Sequence, residues 1–392
     1  MYTFYLIALI PAILGLFLFL YSKKISWIEW AAASVAGLLC SLIIHGIAIH
    51  GMTADQETWS GQFVKAIHEP EWIEEYQQRH TKEVTVGHDK DGNAITETKV
   101  WYTTEHRKHH EDWTAYADFG SGVENSYSID AAKFKEIADN FGGIIVETPY
   151  KDGFDSGDPN IYVAYNKTGY IYPTTILRNF ENKLKAAPTL MSYAPVPKDA
   201  PVYDYPANNN PFQSDRLVGI AYKHFDINLL DKMNSRIGPK RLINVILVEF
   251  GSDKSMHIAK QQEAKWVGGK KNDLVICYSL NANKKTQWAY CFGWSDANLI
   301  KRNMETLFMS NLANNDLLVK IEEEVNKNWR KRSWHEFDYI TIRPAPVYYV
   351  TLIIIMIIVQ GIVWGISFFN GFDRDSKIST HPYRRRKSAC WQ

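Results

Sequence analysis

Residues Lys265–Trp294 read KWVGGKKNDLVICYSLNANKKTQWAYCFGW. The glycine–lysine cluster admits two readings: a loop that cradles phosphate, or a turn between a helix and a strand. A phosphate loop needs glycines between a strand and the start of a helix, so that amide N–H groups and the positive end of the helix dipole face the anion. Here GGKKN follows MHIAKQQEAKWV, which has helical spacing. It precedes DLVICYSL, a continuous apolar run that suits a strand buried on both faces. The dipole at that point is negative, the Walker spacing is missing, and Gly268 or Gly269 fits a helix C-terminal cap. The stretch therefore reads as helix stop, turn, buried strand, hairpin tip NANKK and second strand TQWAYCFGW.

Working outward, RLINVILVEF is another continuous apolar, β-branched run. SDRLVGIAYKHFDINLLDKMNSRIG opens with a Ser-Asp cap and ends in glycine, the signature of a helix. SDANLIKRNMETLFMSNL is a helix starting at Ser295 and Asp296. NDLLVKIEEEVNKNWRKRSW is a helix with acids early and bases late, matching its dipole. The order helix, strand, helix, strand, strand, helix, helix describes an α/β domain with a small mixed sheet, here bounded at 201–330.

The two cysteines of the opening stretch bear on the compartment. With Asn283, Lys284 and Lys285 as the hairpin tip, Cys277 stands directly opposite Cys291. The pair is then either a disulfide, which requires a domain outside the cytoplasm, or two small buried core residues.

Residues 53–200 read as a mixed α+β region. TKEVTVGHDKDGNAITETKVWYTT alternates on both sides of DKDGN and predicts a hairpin. SIDAAKFKEIADNFG predicts a helix with Phe134, Ile137 and Phe141 on one face. PNIYVAYNKTGYIYP predicts a second hairpin around NKTG. The proline-rich AAPTLMSYAPVPKDAPVYDYPANNNPF reads as a linker or an extended crossing strand.

The apolar mass lies at the two ends of the 392-residue chain. Three runs are long enough to span a bilayer: residues 4–21, 27–50 and 347–369. The first lacks the basic flank and small-residue exit of a signal peptide, so a retained helix is expected. His45 lies inside the second run and is expected to pack on another helix. Gly361 and Gly365 form a GxxxG spacing that lets helix backbones approach, in the second span or in another copy of the chain. Lys23 and Lys24 follow the first run. Arg374, Lys377, Arg384, Arg385, Arg386 and Lys387 occupy the tail at 370–392. The positive-inside rule makes both cytoplasmic and sets residues 53–346 outside. Arg330, Lys331 and Arg332, about fifteen residues before the third run, are a counter-signal at the limit of that rule.

Composition excludes some classes. A net charge of +1 gives no field that would draw nucleic acid. Four cysteines are too few for a disulfide scaffold. TEHRKHHEDW holds His106, His109 and His110, but its spacing is not that of a zinc helix, and it reads as a solvated polar turn. No nucleophile elbow, CxxC pair or dinucleotide fingerprint occurs, so no catalytic residue is nominated.

The segment from VYDYPA to about Leu312 resembles the TPM-domain family. The likeness rests on an early strand with Asp204, on INVILVEF, and on the helix followed by GGKKNDLVICYSL. FGWSD stands where that family has a Gly-aromatic-Gly turn, with Ser295 in place of the second glycine. The resemblance implies a membrane-anchored domain outside the cytoplasm, and either metal-dependent acid phosphatase activity or a role in assembling membrane complexes. Carried onto this sequence, its divalent cation, such as calcium, would take Asp204, Asn272, Asp273 and Asp296 as oxygen ligands. The full layout is similar to a group of tailed-bacteriophage integral membrane proteins, which implies origin and architecture alone. The expectation is a membrane-anchored, non-catalytic binding protein of a bacterial inner membrane. Residues 53–346 would be periplasmic and the tail cytoplasmic. The expected partners are membrane lipid, a host or phage envelope protein, and a further copy through the membrane helices.

Overall fold

A computed structural model of the chain describes residues 2–7, 9–22, 27–88, 90–91, 94–120, 122, 124–149, 159–187, 193–207 and 210–378. The chain opens with helices α1 (Tyr2–Leu6), α2 (Leu9–Ser22) and α3 (Trp27–Thr53). Strands β1 (Ala54–Glu69), β2 (Trp72–His88), β3 (Ala94–His109), β4 (Asp112–Asp118) and β5 (Glu124–Ser128) follow. Next come α4 (Ala131–Asn140), β6 (Ile145–Pro149), β7 (Asn160–Tyr165), β8 (Pro173–Glu181) and β9 (Leu217–Gly219). The order ends with α5 (Ile227–Arg241), β10 (Asn244–Phe250), α6 (His257–Lys265), β11 (Asp273–Leu280), β12 (Thr286–Gly293), α7 (Leu299–Ser310), α8 (Asp316–Asn328) and α9 (Pro346–Ile378). The fold is mixed α+β with several sheets, and among the described residues two helices are long and apolar enough to cross a membrane.

The chain forms two compact units. One comprises Met1–Asp55, Asn179–Tyr193 and Ser333–Gln392; the other comprises Gln56–Arg178 and Ala194–Arg332. The two polar regions read from the sequence thus belong to one unit, and residues 179–193 go with the helices.

In the helical unit, Trp30–Thr53 and Pro346–Ile366 have the length and hydropathy of spans. The first apolar run is shorter and divides into α1 and α2. Pro11 explains the break: it is tolerated in the first turn of α2, but in a continuous helix it would lack an N–H for the carbonyl of Ile7 and its ring would crowd that carbonyl. The helices pack through Phe4, Ile44, Leu352 and Met356. Trp30 Nε1 donates to Ala12 O at 2.8 Å, and Gln360 Nε2 donates to Ala33 O at 3.0 Å. Lys23, Lys24 and the residues from 379 onward lie outside the described residues, and the tail expected from residue 370 begins as a continuation of α9.

In the polar unit, one sheet has the order β5-β4-β1-β7-β6, with β8 also on β1. Helix α4 is capped by Asp130, which accepts from Lys133 N, and it covers the sheet with Phe134 and Ile137. The hairpin expected around NKTG does not form. Val64 O accepts from Asn166 N and Phe63 N donates to Tyr172 O, so the chain leaves β1 after β7 and rejoins it one residue further on. NKTG is an excursion between two strands that share one partner.

The second sheet has the order β12-β11-β10-β9, with β9, β10 and β11 parallel and β12 antiparallel. Strands β10 and β11 are buried along their whole length. Helices α5, α7 and α8 cover Val245, Leu247, Leu274 and Ile276. Helix α6 covers Ile246, Val248, Val275 and Cys277 on the opposite face. Because β9, β10 and β11 are consecutive neighbours while α5 and α6 lie on opposite faces, the two crossovers have opposite hands, so one is of the rare left-handed kind. SDRLVG, expected within a helix, instead supplies β9; the helix starts at Ile227 under an Asp226 cap. Gly219 sits at φ +72°, a conformation that ends the strand.

The turn reading of the opening stretch holds, with a different residue at its pivot. Gly268 N donates to Glu263 O and Val267 N to Ala264 O, a Schellman pair. The left-handed position is taken by Val267, at φ +52°, and the glycines follow at +79° and +84°.

Candidate functional site

The four oxygen ligands suggested by the resemblance occupy different environments. Asp204 is 94% exposed and pairs with Lys265 Nζ at 2.8 Å. Asp296 is exposed, and its backbone N–H donates to Arg330 O. Asn272 is buried at the start of β11, where its Nδ2 donates to Thr58 O at 2.6 Å and its Oδ1 has no partner among the described residues. Asp273 is fully buried, and both of its carboxylate oxygens are occupied. Asn244 Nδ2 donates to Oδ1 at 2.8 Å, while Tyr205 O–H and Lys270 N donate to Oδ2 at 2.8 and 2.7 Å. Burial raises the Asp273 pKa, and these donors oppose the rise. Among the described residues no three His, Cys, Asp or Glu side chains are grouped to hold a metal ion.

Asp273 is one end of a buried polar chain that the sequence did not reveal. Asn244 Oδ1 accepts from Arg216 Nε at 2.7 Å. Arg216, 1% exposed, also donates to Asp231 Oδ1 at 2.5 Å and to Ser60 Oγ at 2.7 Å. Ser60 lies on β1, Arg216 before β9, Asp231 on α5 and Asn244 at the start of β10. The chain therefore ties the strand-rich sheet to the amino ends of the parallel strands. Its groups satisfy one another, which is what burial requires.

At the carboxyl ends, where open parallel sheets usually bind ligands, a second group is built on Glu249. Its carboxylate accepts from His224 Nδ1 at 2.9 Å and from Tyr278 O–H at 3.0 Å. A carboxylate only accepts, so Nδ1 carries the proton, and Nε2 has no hydrogen-bond partner among the described residues. Burial pushes the Tyr278 phenol well above its ordinary range. This is a carboxylate-oriented histidine, half of what acid–base chemistry needs. Glu249 was hidden because it falls inside an apolar run.

Of the two readings of the cysteine pair, the structure has the buried core residues and not the disulfide. Cys277 pairs with Tyr290 and Cys291 with Ile276, and both thiols are free. The tip is centred one residue earlier than assumed, with Lys284 at φ +58°, and a bulge near Leu280 shifts the ladder again. The net one-residue slip sends the two cysteines to opposite faces of the sheet. Burial raises both thiol pKa values.

In the helical unit His45 packs as expected on another helix, with Tyr5 O–H at 3.0 Å from Nδ1 and the Phe4 ring beside it. The GxxxG expectation is corrected for contacts within the chain. A Cβ on Gly361 or Gly365 would meet nothing within 4 Å. The close approaches are instead at Gly15, against Trp30, and at Gly37, between Pro11 and Met356. Gly361 lines an apolar groove of about 310 Å³ together with Pro11, Leu14 and Trp364.

The polar unit offers two surfaces. One is a cleft of about 220 Å³ lined by Lys133, Glu136, Tyr172, Phe212, Asp231 and Lys232, among others. Its charges are largely internal. Glu136 accepts from Tyr172 O–H and from Lys133, which lower its pKa, and Lys232 lies 4.4 Å from the Tyr170 ring.

The other surface is the β2–β3 ribbon. Glu69 pairs with Asp112 on β1–β4, and Trp72 with His109 on β2–β3. The register is thus unchanged across the breaks at Pro70–Glu71 and His110–Glu111, and the ribbon extends the β1–β4 hairpin. Sixteen residues at 3.4 Å make it about 50 Å long. At its root Trp72 stacks on His109 at 4.3 Å, and buried Glu74 accepts from His109 Nε2 at 2.8 Å. The expected polar turn at His106–His110 is therefore mostly strand. Towards the tip both faces are open: Trp101 is 43% and Tyr102 60% exposed. The sheet has two strands, so each outer edge lacks a ladder partner among the described residues.

No protein-family model matches the chain, and neither does any curated protein or solved structure.

Proposed function

We propose that this is a membrane-anchored, non-catalytic binding protein, and that the β2–β3 ribbon is its contact element. The ribbon is the observation that carries the reading. An isolated two-stranded ribbon is marginal in water, and two bare edges with exposed aromatic residues are a surface that a partner strand or envelope protein can complete. Its in-register root on β1–β4 gives it a rigid mount.

The sidedness expected from the basic residues does not depend on whether the first apolar run crosses. With two spans or three, residues 53–346 lie opposite Lys23, Lys24 and the tail, hence outside the cytoplasm. A bacteriophage origin and an inner-membrane location follow from the resemblance. The alternative, a metal-dependent phosphatase of TPM type, would need Asp273 to exchange three hydrogen bonds for a cation and Asp204 to give up Lys265.

The test removes residues 79–102 and joins Gln78 to Thr103 with an Asn-Gly turn. The full chain and the shortened chain are extracted in mild detergent and sized on native gels. The shortened chain is expected to melt like the parent and to lose its larger complex. An unchanged complex would contradict the proposal. So would divalent-metal-dependent turnover of a generic phosphomonoester that is abolished by Asp204→Ala and Asp273→Ala.

A further inference from the structure

The charge pattern of β3 identifies a partner for its open edge. Glu97, Lys99, Glu105 and Arg107 alternate along one face of the strand, two on each side of Tyr102. Resting on the reading of the ribbon as a contact element, we propose that β3 pairs antiparallel with β3 of a second copy, about a two-fold axis at Tyr102. In that register Glu97 faces Arg107 of the other strand, and Lys99 faces Glu105. Symmetry repeats each pair, giving four cross-strand ion pairs. Lys108 falls opposite Thr96, His106 opposite Thr98, and Tyr102 opposite its own copy. No like charges meet.

The neighbouring registers that keep the same faces together are both repulsive. A slip of two residues one way sets Glu97 against Glu105. A slip of two the other way sets Lys99 against Arg107. Directly opposed like charges destabilise a strand pair, so the pattern selects one alignment and rejects the adjacent ones. An isologous two-fold contact also closes on itself and does not propagate into a fibre.

The exposures agree. Tyr102, Val100 and Trp101 are open, and Arg107, although 3.7 Å from Glu74, remains 55% exposed. Within the chain Arg107 touches Glu74 and lies over the Tyr76 ring at 5.1 Å, but Glu74 is bound more closely by His109, so the exposed guanidinium can be shared with Glu97 of the second copy. Edge pairing on β3 leaves the β2 edge free for another protein.

The test uses the full chain in its own membrane, with Cys40→Ser and Cys390→Ser as background. Paired Cα atoms across antiparallel strands are 4.5–5.5 Å apart, within disulfide range. Tyr102→Cys is therefore expected to form a disulfide-linked dimer on mild oxidation. Glu97→Cys and Arg107→Cys are expected to link when the two variants are co-expressed and not singly. Lys99→Glu creates two like-charge pairs and is expected to lower the Tyr102→Cys dimer roughly tenfold; Glu105→Lys added to it restores the dimer. Absence of the Tyr102→Cys dimer, or no rescue by the double charge swap, overturns the two-fold pairing. If the complex is still lost on shortening the ribbon, the contact-element reading stands with a different partner; if it is not lost, both fail.

Discussion

Arg216→Met tests whether the polar chain joins the two sheets of the polar unit. The substitution keeps the length of the buried stem and removes the guanidinium. Asp231 then loses its charge partner, and Asn244 Oδ1 and Ser60 Oγ lose their donor. Removing one partner of a buried ion pair costs about 3–5 kcal/mol, because the remaining charge is left desolvated. For a unit of this size that lowers the melting temperature by roughly 10 °C. The companion Arg216→Met/Asp231→Leu removes both charges and is expected to recover most of the loss, since apolar replacement of a buried pair is often neutral. Ser60→Ala removes one hydrogen bond and should cost about 1 kcal/mol. The assay is thermal unfolding of the full chain in detergent, followed by near-ultraviolet circular dichroism. A single variant that melts within 2 °C of the parent, or a double variant worse than the single, would refute the reasoning.

Three further outcomes are expected. Val267→Gly should stabilise by about 1 kcal/mol, because it relieves roughly 2 kcal/mol of left-handed strain and gives back about half in chain entropy; Gly268→Ala should destabilise. Denaturation midpoints decide both. Gly293→Ala should cost about 2 kcal/mol or more, since its Cβ would press on Asp273 O in the neighbouring strand; a neutral effect in the same assay would show that the strands can separate there. Cys277 and Cys291 should resist alkylation at pH 8 when folded and both react in denaturant without reductant, read by intact mass. Their folded pKa values are raised, so the stability they contribute is fully present below the unfolded value of 9.0 and falls as pH rises above it. The slope is about 1.4 kcal/mol per pH unit for each thiol. A melting temperature flat from pH 8 to 10.5 would contradict this.

Much of the α/β domain was legible because its signals are local. INVILVEF and DLVICYSL carry apolar residues at adjacent positions instead of alternating ones, which suits strands buried on both faces, and the GG turn after a helix has one sense of dipole. The cysteine pairing failed for the reason that makes β register fragile. The hairpin tip was off by one residue, and in a strand one residue exchanges the faces. The NKTG hairpin failed because a turn signal says where the chain can bend and not which strand it bends back to. Arg216, Asp231, Asn244 and Asp273 are spread over nearly sixty residues, and Ser60 lies on another sheet, so no spacing rule could assemble them. The ribbon was half seen: alternation predicted its hairpin, but its continuity with β1–β4 is a long-range register.

The most direct measurement is site-specific photo-crosslinking in cells that produce the full chain. A benzophenone side chain is placed in turn at Trp101 and Tyr102 on the ribbon, and at exposed Tyr222 and Leu299 on the α/β domain. Adducts are expected from the two ribbon positions and not from the other two, with mass spectrometry separating a second copy of the chain from another protein. Adducts at Tyr222 or Leu299 with none at Trp101 or Tyr102 would contradict the ribbon as the contact element.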